Sequence, residues 1–266
     1  MITKKQLKNK VKQIPFVQKI LFQRNKKRFQ LNFKKEVYKN PPAYIFQMGK
    51  VGSSSAFHSI KNQYHGMCIR SHWFSDKESD LHVKALYNLY QKEKFPIKII
   101  SMVREPISRN ISAFFQNFER DTGTKYKDHN FSLQQLQELF LKNYKHEMPL
   151  TWLDDTIKAI FGIDVYEMPF PESGYKTYQN GPIELLLYKH DVDDATKEKI
   201  ISDYLQIPNF KLSNINMGAA KEYAVTYKEF INLKMPHSYL DAMLNSKYTK
   251  HFYTSDIYKI RQKWSS

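Results

Sequence analysis

The stretch Tyr44-Ile45-Phe46-Gln47-Met48-Gly49-Lys50-Val51-Gly52-Ser53-Ser54-Ser55 decides how the rest of the chain is read. It starts as a short apolar run, becomes a loop of small residues with one lysine and three hydroxyls, and leads from about Ala56 into a helical pattern. The order is strand, loop, helix N-terminus. Such a terminus presents unpaired backbone N–H groups and the positive end of the helix dipole to an anion. Glycine lets the backbone approach a ligand closely. Lys50 adds a mobile charge and the serines add donors. The stretch reads either as a phosphate-binding loop or as a βα turn that happens to be rich in Gly and Ser. An NTPase P-loop needs its lysine directly after the second glycine, whereas Lys50 lies between Gly49 and Gly52. The dinucleotide fingerprint needs a third glycine, which is absent.

Outward from this stretch, strands and helices alternate. Strands are expected at Ala43–Met48, Met67–Ser71, Ile97–Val103, Ile163–Glu167 and Glu184–Lys189. The run Ile97-Lys98-Ile99-Ile100-Ser101-Met102-Val103 suits a central parallel strand buried on both faces. Helices are expected at Ser54–Tyr64, Asp80–Lys92, from Pro106 to about Glu119, Leu133–Tyr144, Leu150–Phe161 and Thr196–Leu205, and from Tyr227 onward with a break at Pro236. Pro106 is well placed as a first helical residue. Met168–Gly181 reads as a loop bordering a pocket. The alternation predicts a three-layer α/β/α domain over residues 41–266, with a central parallel sheet and helical insertions near 121–161.

The chain has 266 residues, 41% of them hydrophobic, enough for a substantial core. Its single cysteine, Cys68, excludes an internal disulfide and a cysteine-cluster metal site. No metal site is expected. No run approaches the ~20 apolar residues of a membrane span, and no signal-peptide core precedes the body, so the cytoplasm is the expected location. The formal charge is +16 and unevenly spread: residues 1–40 hold thirteen Lys or Arg and one acid, Glu36. Residues 1–40 therefore form a basic, partly helical arm ended by Pro41-Pro42. An apolar patch from Ile14 to Phe22 flanked by lysines suits either peripheral contact at the inner face of the membrane or packing on the body. Nucleic acid is not an expected partner.

Ligands of open α/β sheets bind at the carboxyl ends of strands. Three polar groups are expected there: the loop from Lys50 to Ser55, His72 after the second strand, and Arg104 after the apolar strand. Arg104 is either half of a structural pair with Glu105 or a second anion site, with Ser112 eight residues on.

Here the residues resemble sulfotransferases that use 3′-phosphoadenosine 5′-phosphosulfate (PAPS). The loop is similar to their 5′-phosphosulfate loop, and Val103-Arg104-Glu105-Pro106 with Ser112 to their 3′-phosphate site. More narrowly, Phe46–Ser55, Ile107–Phe115, Tyr248–Tyr253 and Lys259–Trp264 resemble bacterial sulfotransferase-like proteins labelled for capsular polysaccharide synthesis. The resemblance implies a P-loop-like nucleotide-binding fold, PAPS as donor and a carbohydrate hydroxyl as acceptor, on a capsular or other surface polysaccharide. It implies Lys50 at the leaving oxygen, Val51, Gly52, Ser53, Ser54 and Ser55 around the 5′ groups, Arg104 and Ser112 at the 3′-phosphate, and a late loop with Asn214, Asn216 and Lys221 over the nucleotide. His72 is the leading candidate for the general base, with His58, His65, Glu105 and Glu119 as alternatives. Lys61, Arg70 and Arg109 face an acidic acceptor or only water. The competing readings are an ATP-dependent kinase-like phosphotransferase and a catalytically inactive basic interaction protein.

Overall fold

In the computed structural model, residues 15–213 and 222–265 are described. Helix α1 (Pro15–Lys39) precedes β1 (Ala43–Phe46), α2 (Ser53–Gln63), β2 (Cys68–Ser71), α3 (Leu81–Glu93), β3 (Ile97–Val103) and α4 (Pro106–Gln116). After α5 (Leu133–Asn143) comes α6 (residues 148–161), whose middle, Leu153–Lys158, is π-helical. The hairpin β4 (Tyr175–Asn180) and β5 (Ile183–Lys189) follows, then α7 (Asp194–Leu205), α8 (Ala224–Phe230), α9 (His237–Leu244), α10 (Lys247–Phe252) and α11 (Ile257–Trp264).

The five strands form one sheet in the order β2-β1-β3-β5-β4. Four are parallel, and β4 is antiparallel to β5. Consecutive residues of β1 and most of β3 are buried. Because consecutive side chains point to opposite faces, both faces at the centre of the sheet are covered. The chain leaves β1 for β2 on one side and returns to β3 on the other. The crevice between the carboxyl ends of β1 and β3 is therefore the topological switch point, where such sheets bind ligands.

Two expectations are corrected. The sheet is not wholly parallel, because Tyr175–Asn180 lies not in a loop but in an edge strand. Its polar composition, Tyr-Lys-Thr-Tyr-Gln-Asn, suits a strand with one solvated face. The two residues Gly181 and Pro182, with Gly181 at φ 55°, close the hairpin. Conversely, Ile163–Glu167 is not a strand. Gly162 (φ 67°) ends α6. Asp164 then accepts the Tyr166 N–H and an ion pair from Lys158, which makes a turn. Ile163 and Val165 are buried as anchors of that turn rather than as strand residues.

Among the described residues no helix is long and apolar enough to cross a membrane. The last turns of α1 pack on the body through Phe33 and Val37. Lys34 and Tyr38 both bond the Glu93 carboxylate at the end of α3.

Candidate functional site

Strand register assembles the site. Ala43 of β1 pairs with Cys68 of β2 and Lys98 of β3, and Ile97 of β3 with Ile183 of β5. Extending these offsets brings His72 level with Gln47, and Gly49 and His190 level with Arg104. Hydrogen bonds past the strand ends agree: Gln47 N–H donates to Ser71 O and His190 N–H to Val103 O.

The loop after β1 is bent by left-handed residues at Gly49 (φ 83°), Lys50 (φ 61°) and Gly52 (φ 81°). Its carbonyls are tied down by two arginines. Arg109 of α4 is 2% exposed and donates through Nε to Gly49 O (3.2 Å) and through Nη2 to Met48 O (3.0 Å). Arg104 Nη1 donates to Lys50 O (3.1 Å). In a trans peptide the N–H points away from the C=O. Pulling these carbonyls toward the guanidinium groups therefore turns the amides of Lys50 and Val51 the other way. Gly52 caps α2 without a side-chain acceptor for the first-turn N–H groups. The result is a frame of backbone donors at a helix start, suited to an anion.

The cleft over this frame has a volume of about 480 Å³, within the range of small-molecule sites. Lys50, Gly52, Ser53, Ser54, His72, Arg104 and Ser112 all line it, together with Arg70, Arg109 and Arg120. No carboxylate lines it among the described residues. Lys50 Nζ donates to Gln116 Oε1 (2.7 Å), one turn beyond Ser112 on α4. Val51 and Ser55 instead border a separate 220 Å³ cavity, which also touches Gly52, with His190, Asp194 and Lys197. Asn214, Asn216 and Lys221 lie outside the described residues.

His72 is exposed at the rim beside Trp73, itself 57% exposed. Its Nδ1 lies 2.8 Å from Gln47 O and 3.2 Å from Gln47 Nε2. Nδ1 cannot serve both, since a carbonyl only accepts and an amide nitrogen only donates. The Gln47 side-chain oxygen accepts from Gly49 N–H, which fixes the amide orientation, and the shorter contact to the carbonyl governs. Nδ1 therefore carries the proton in the neutral ring, leaving Nε2 as the proton acceptor.

Several sequence expectations change. Glu105 does not pair with Arg104. It caps α4, accepting the Ile107 and Ser108 N–H groups (2.6 and 2.8 Å) and the Ser108 hydroxyl, and so is committed to structure. Arg109, only 2% exposed, touches the cleft from beneath the loop and presents no open acceptor surface. Of the other candidate bases, His58, His65 and Glu119 do not line the cleft, and neither does Lys61. Arg70 does, with its guanidinium 4.3 Å from the Phe57 ring centroid.

Sequence reasoning missed three contributors. Tyr248, 0% exposed, brackets the backbone of Arg104: its hydroxyl accepts the Arg104 N–H (3.0 Å) and donates to Arg104 O (2.9 Å). That contact spans 144 residues, and nothing local announces it. Gln47 orients both His72 and Gly49. His190 lies against Gly52 at the second, smaller cavity.

A Cβ built on Gly52 would lie 2.3 Å from His190 Cδ2. One on Gly49 would meet His72 Cε1 at 3.3 Å. A left-handed conformation alone costs a non-glycine residue ~1–2 kcal/mol. Gly52→Ala is therefore expected to lower stability by about 2–4 kcal/mol and clearly more than Gly49→Ala, as read by urea unfolding. Equal midpoints for the two variants would contradict this packing.

Burial, reinforced by Arg104 and Lys197, pushes the His190 imidazole down to about 4. The unfolded chain takes up this proton near pH 6.5 and the folded chain does not. Stability from this group is therefore complete above pH 6.5 and drains as pH falls toward 4, by roughly 2–3 kcal/mol. His146 and His251 are also lowered, chiefly by burial, so a slope remains without His190. His190→Asn should flatten the curve of unfolding free energy against pH between 6.5 and 4, and an unchanged slope would refute the assignment.

Among known proteins, no curated sequence and no solved structure matches the chain. Residues 125–254, just under half of it, match the NKWYS family model, described as "Putative capsular polysaccharide synthesis protein". That segment contributes Tyr144, Met148 and Trp152 to the cleft wall and Tyr248 to the Arg104 anchor, while the loop after β1 and Arg104 precede it.

Proposed function

We propose that the protein is a PAPS-dependent sulfotransferase of P-loop-like fold acting on a carbohydrate hydroxyl. The observation that carries this reading is the meeting, in one cation-rich cleft lined by no carboxylate among the described residues, of the loop around Lys50 and the Arg104–Ser112 pair. A single phosphate needs one anion site. Two such sites on neighbouring strand ends suit a nucleotide with phosphates at both ends of its ribose. The carbohydrate acceptor is supported by the capsular polysaccharide description of the matching family and by the exposed Trp73 beside His72, whose ring offers an apolar face.

The residues present fit the donor, which supplies a transferable sulfuryl group. Gly52, Ser53 and Ser54 hold its 5′ groups through backbone and hydroxyl donors. Arg104 holds the 3′-phosphate, with two parallel N–H groups available for it. Ser112 adds a neutral donor. Lys50 neutralises charge growing on the leaving phosphate oxygen, a preorganised electrostatic role. His72 Nε2 takes the proton of the acceptor hydroxyl as that oxygen bonds to sulfur. The sulfur–oxygen bond to the phosphate breaks in line, giving a sulfate ester and adenosine 3′,5′-bisphosphate.

Calorimetric titration tests the reading. Adenosine 3′,5′-bisphosphate should bind more tightly than ATP or AMP by at least tenfold, the worth of about one hydrogen bond to a charged group. Equal affinities would sink the 3′-phosphate assignment, and tighter magnesium-dependent ATP binding would favour a kinase. His72→Asn should keep bisphosphate affinity while losing sulfuryl transfer.

A further inference from the structure

From Pro15 to Asn32, α1 has no buried residue; the first is Phe33. That is about 27 Å of helix at 1.5 Å per residue. A lone helix of this length is marginal in water. It nevertheless exposes Phe16 (71%), Ile20 (50%), Phe22 (66%) and Leu31 (62%). The helix as a whole carries eight Lys or Arg against the single acid Glu36.

Its surface is not uniform. Arg24 and Arg28 lie nine residues before Phe33 and Val37, which at 100° per residue puts them on the side opposite the packed stripe. Exposed Leu31 and Lys35 fall on that same outward side, with exposed Ile20 at its border, and so do Val17 and Leu21, which are only partly exposed. Its N-terminal part is apolar and its middle is basic, and Glu36 is off it.

We propose that this outward face of α1 docks on an anionic phospholipid bilayer, with Val17, Ile20 and Leu21 in the acyl boundary and Arg24, Arg28 and Lys35 at the headgroups. Charge and apolarity select this occupant. A second copy of the helix would bring Arg24, Arg28 and Lys35 against their own kind, which repels. A nucleic acid would answer the charge but leave the aliphatic end in water. A bilayer surface answers both, and lying on it requires no spanning segment. The proposal is independent of the chemistry in the cleft.

The test is co-sedimentation of the full chain with vesicles of phosphatidylcholine alone or mixed with phosphatidylglycerol. Binding should require phosphatidylglycerol and weaken with salt. Each basic side chain at the surface is worth about fivefold, so Arg24→Gln/Arg28→Gln/Lys35→Gln should weaken binding on the order of a hundredfold. Ile20→Ser/Leu21→Ser should weaken it without changing its salt dependence. These positions lie where α1 has no buried residue or face away from its packed stripe, so the thermal midpoint of each variant should match the parent and show that it is folded. Absence of phosphatidylglycerol-dependent binding would overturn the proposal. So would full binding by both variants, which would move the contact off this face. A dimer in sedimentation velocity that Ile20→Ser/Leu21→Ser dissociates would assign the face to self-association instead. An oligonucleotide held more tightly than the vesicles would do the same for nucleic acid.

Discussion

Arg104→Ala is expected to weaken binding of adenosine 3′,5′-bisphosphate by about two to four orders of magnitude, while AMP loses about tenfold or less. The larger figure follows from two hydrogen bonds to a charged group at ~1.5–3 kcal/mol each, with tenfold per ~1.4 kcal/mol. The smaller follows from the second task of this side chain, holding Lys50 O at 3.1 Å, because its loss loosens the loop for any nucleotide. Arg104→Lys separates the two contributions. It keeps the charge but not the planar fork, so it should recover part of the bisphosphate affinity. Transfer should be lost in Arg104→Ala and in Lys50→Ala alike. If AMP and the bisphosphate weaken equally in Arg104→Ala, the side chain serves only the loop and the 3′-phosphate site is elsewhere.

Arg109→Met is expected to cost about 3–5 kcal/mol of folding stability, a large part of the ~5–15 kcal/mol that a domain has. All five N–H groups of Arg109 have acceptors: Gly49 O, Met48 O, Asn110 Oδ1 (3.1 Å), Tyr144 Oη (2.6 Å) and Met148 Sδ (3.1 Å). Burial lowers its affinity for the proton. Among the described residues it has no ion pair with a carboxylate. Methionine fills similar space but strands two loop carbonyls and the Tyr144 hydroxyl. The loop should then lose its fixed shape as well as its buried charge, so bisphosphate affinity should fall together with the urea midpoint. A stability loss under about 1 kcal/mol would mean that water replaces these bonds readily, and that the clamp is not what shapes the loop.

The same two arginines show where sequence reading succeeds and where it stops. Arg104 was legible because it ends a seven-residue apolar strand and precedes Glu105-Pro106, a helix start. Arg109 was not, because its spacing on α4 is equally compatible with solvent, and only the packing of α4 beneath the loop after β1 buries it. His72 was placed by strand counting. Its tautomer depends on Gln47, whose role arises from register. β4 was missed because an edge strand of polar residues carries no apolar signal, and Ile163–Glu167 was overread because buried anchors of a turn imitate one.

The sequence by itself determined the alternation of strands and helices, the strand–loop–helix unit at Gly49–Ser55, the end of β3 at Arg104 and the concentration of positive charge before residue 40. These follow from local properties: apolar runs, glycine, proline and charge. Tertiary structure alone decided that β1 and β3 lie side by side at the switch point and that Arg104 and Arg109 grip the loop carbonyls. It also decided that Tyr248 fixes Arg104, that His190 backs Gly52, and which side of α1 faces outward. Each of these is a contact between residues distant in the chain, set by sheet register and helix packing, and no local pattern encodes such a contact.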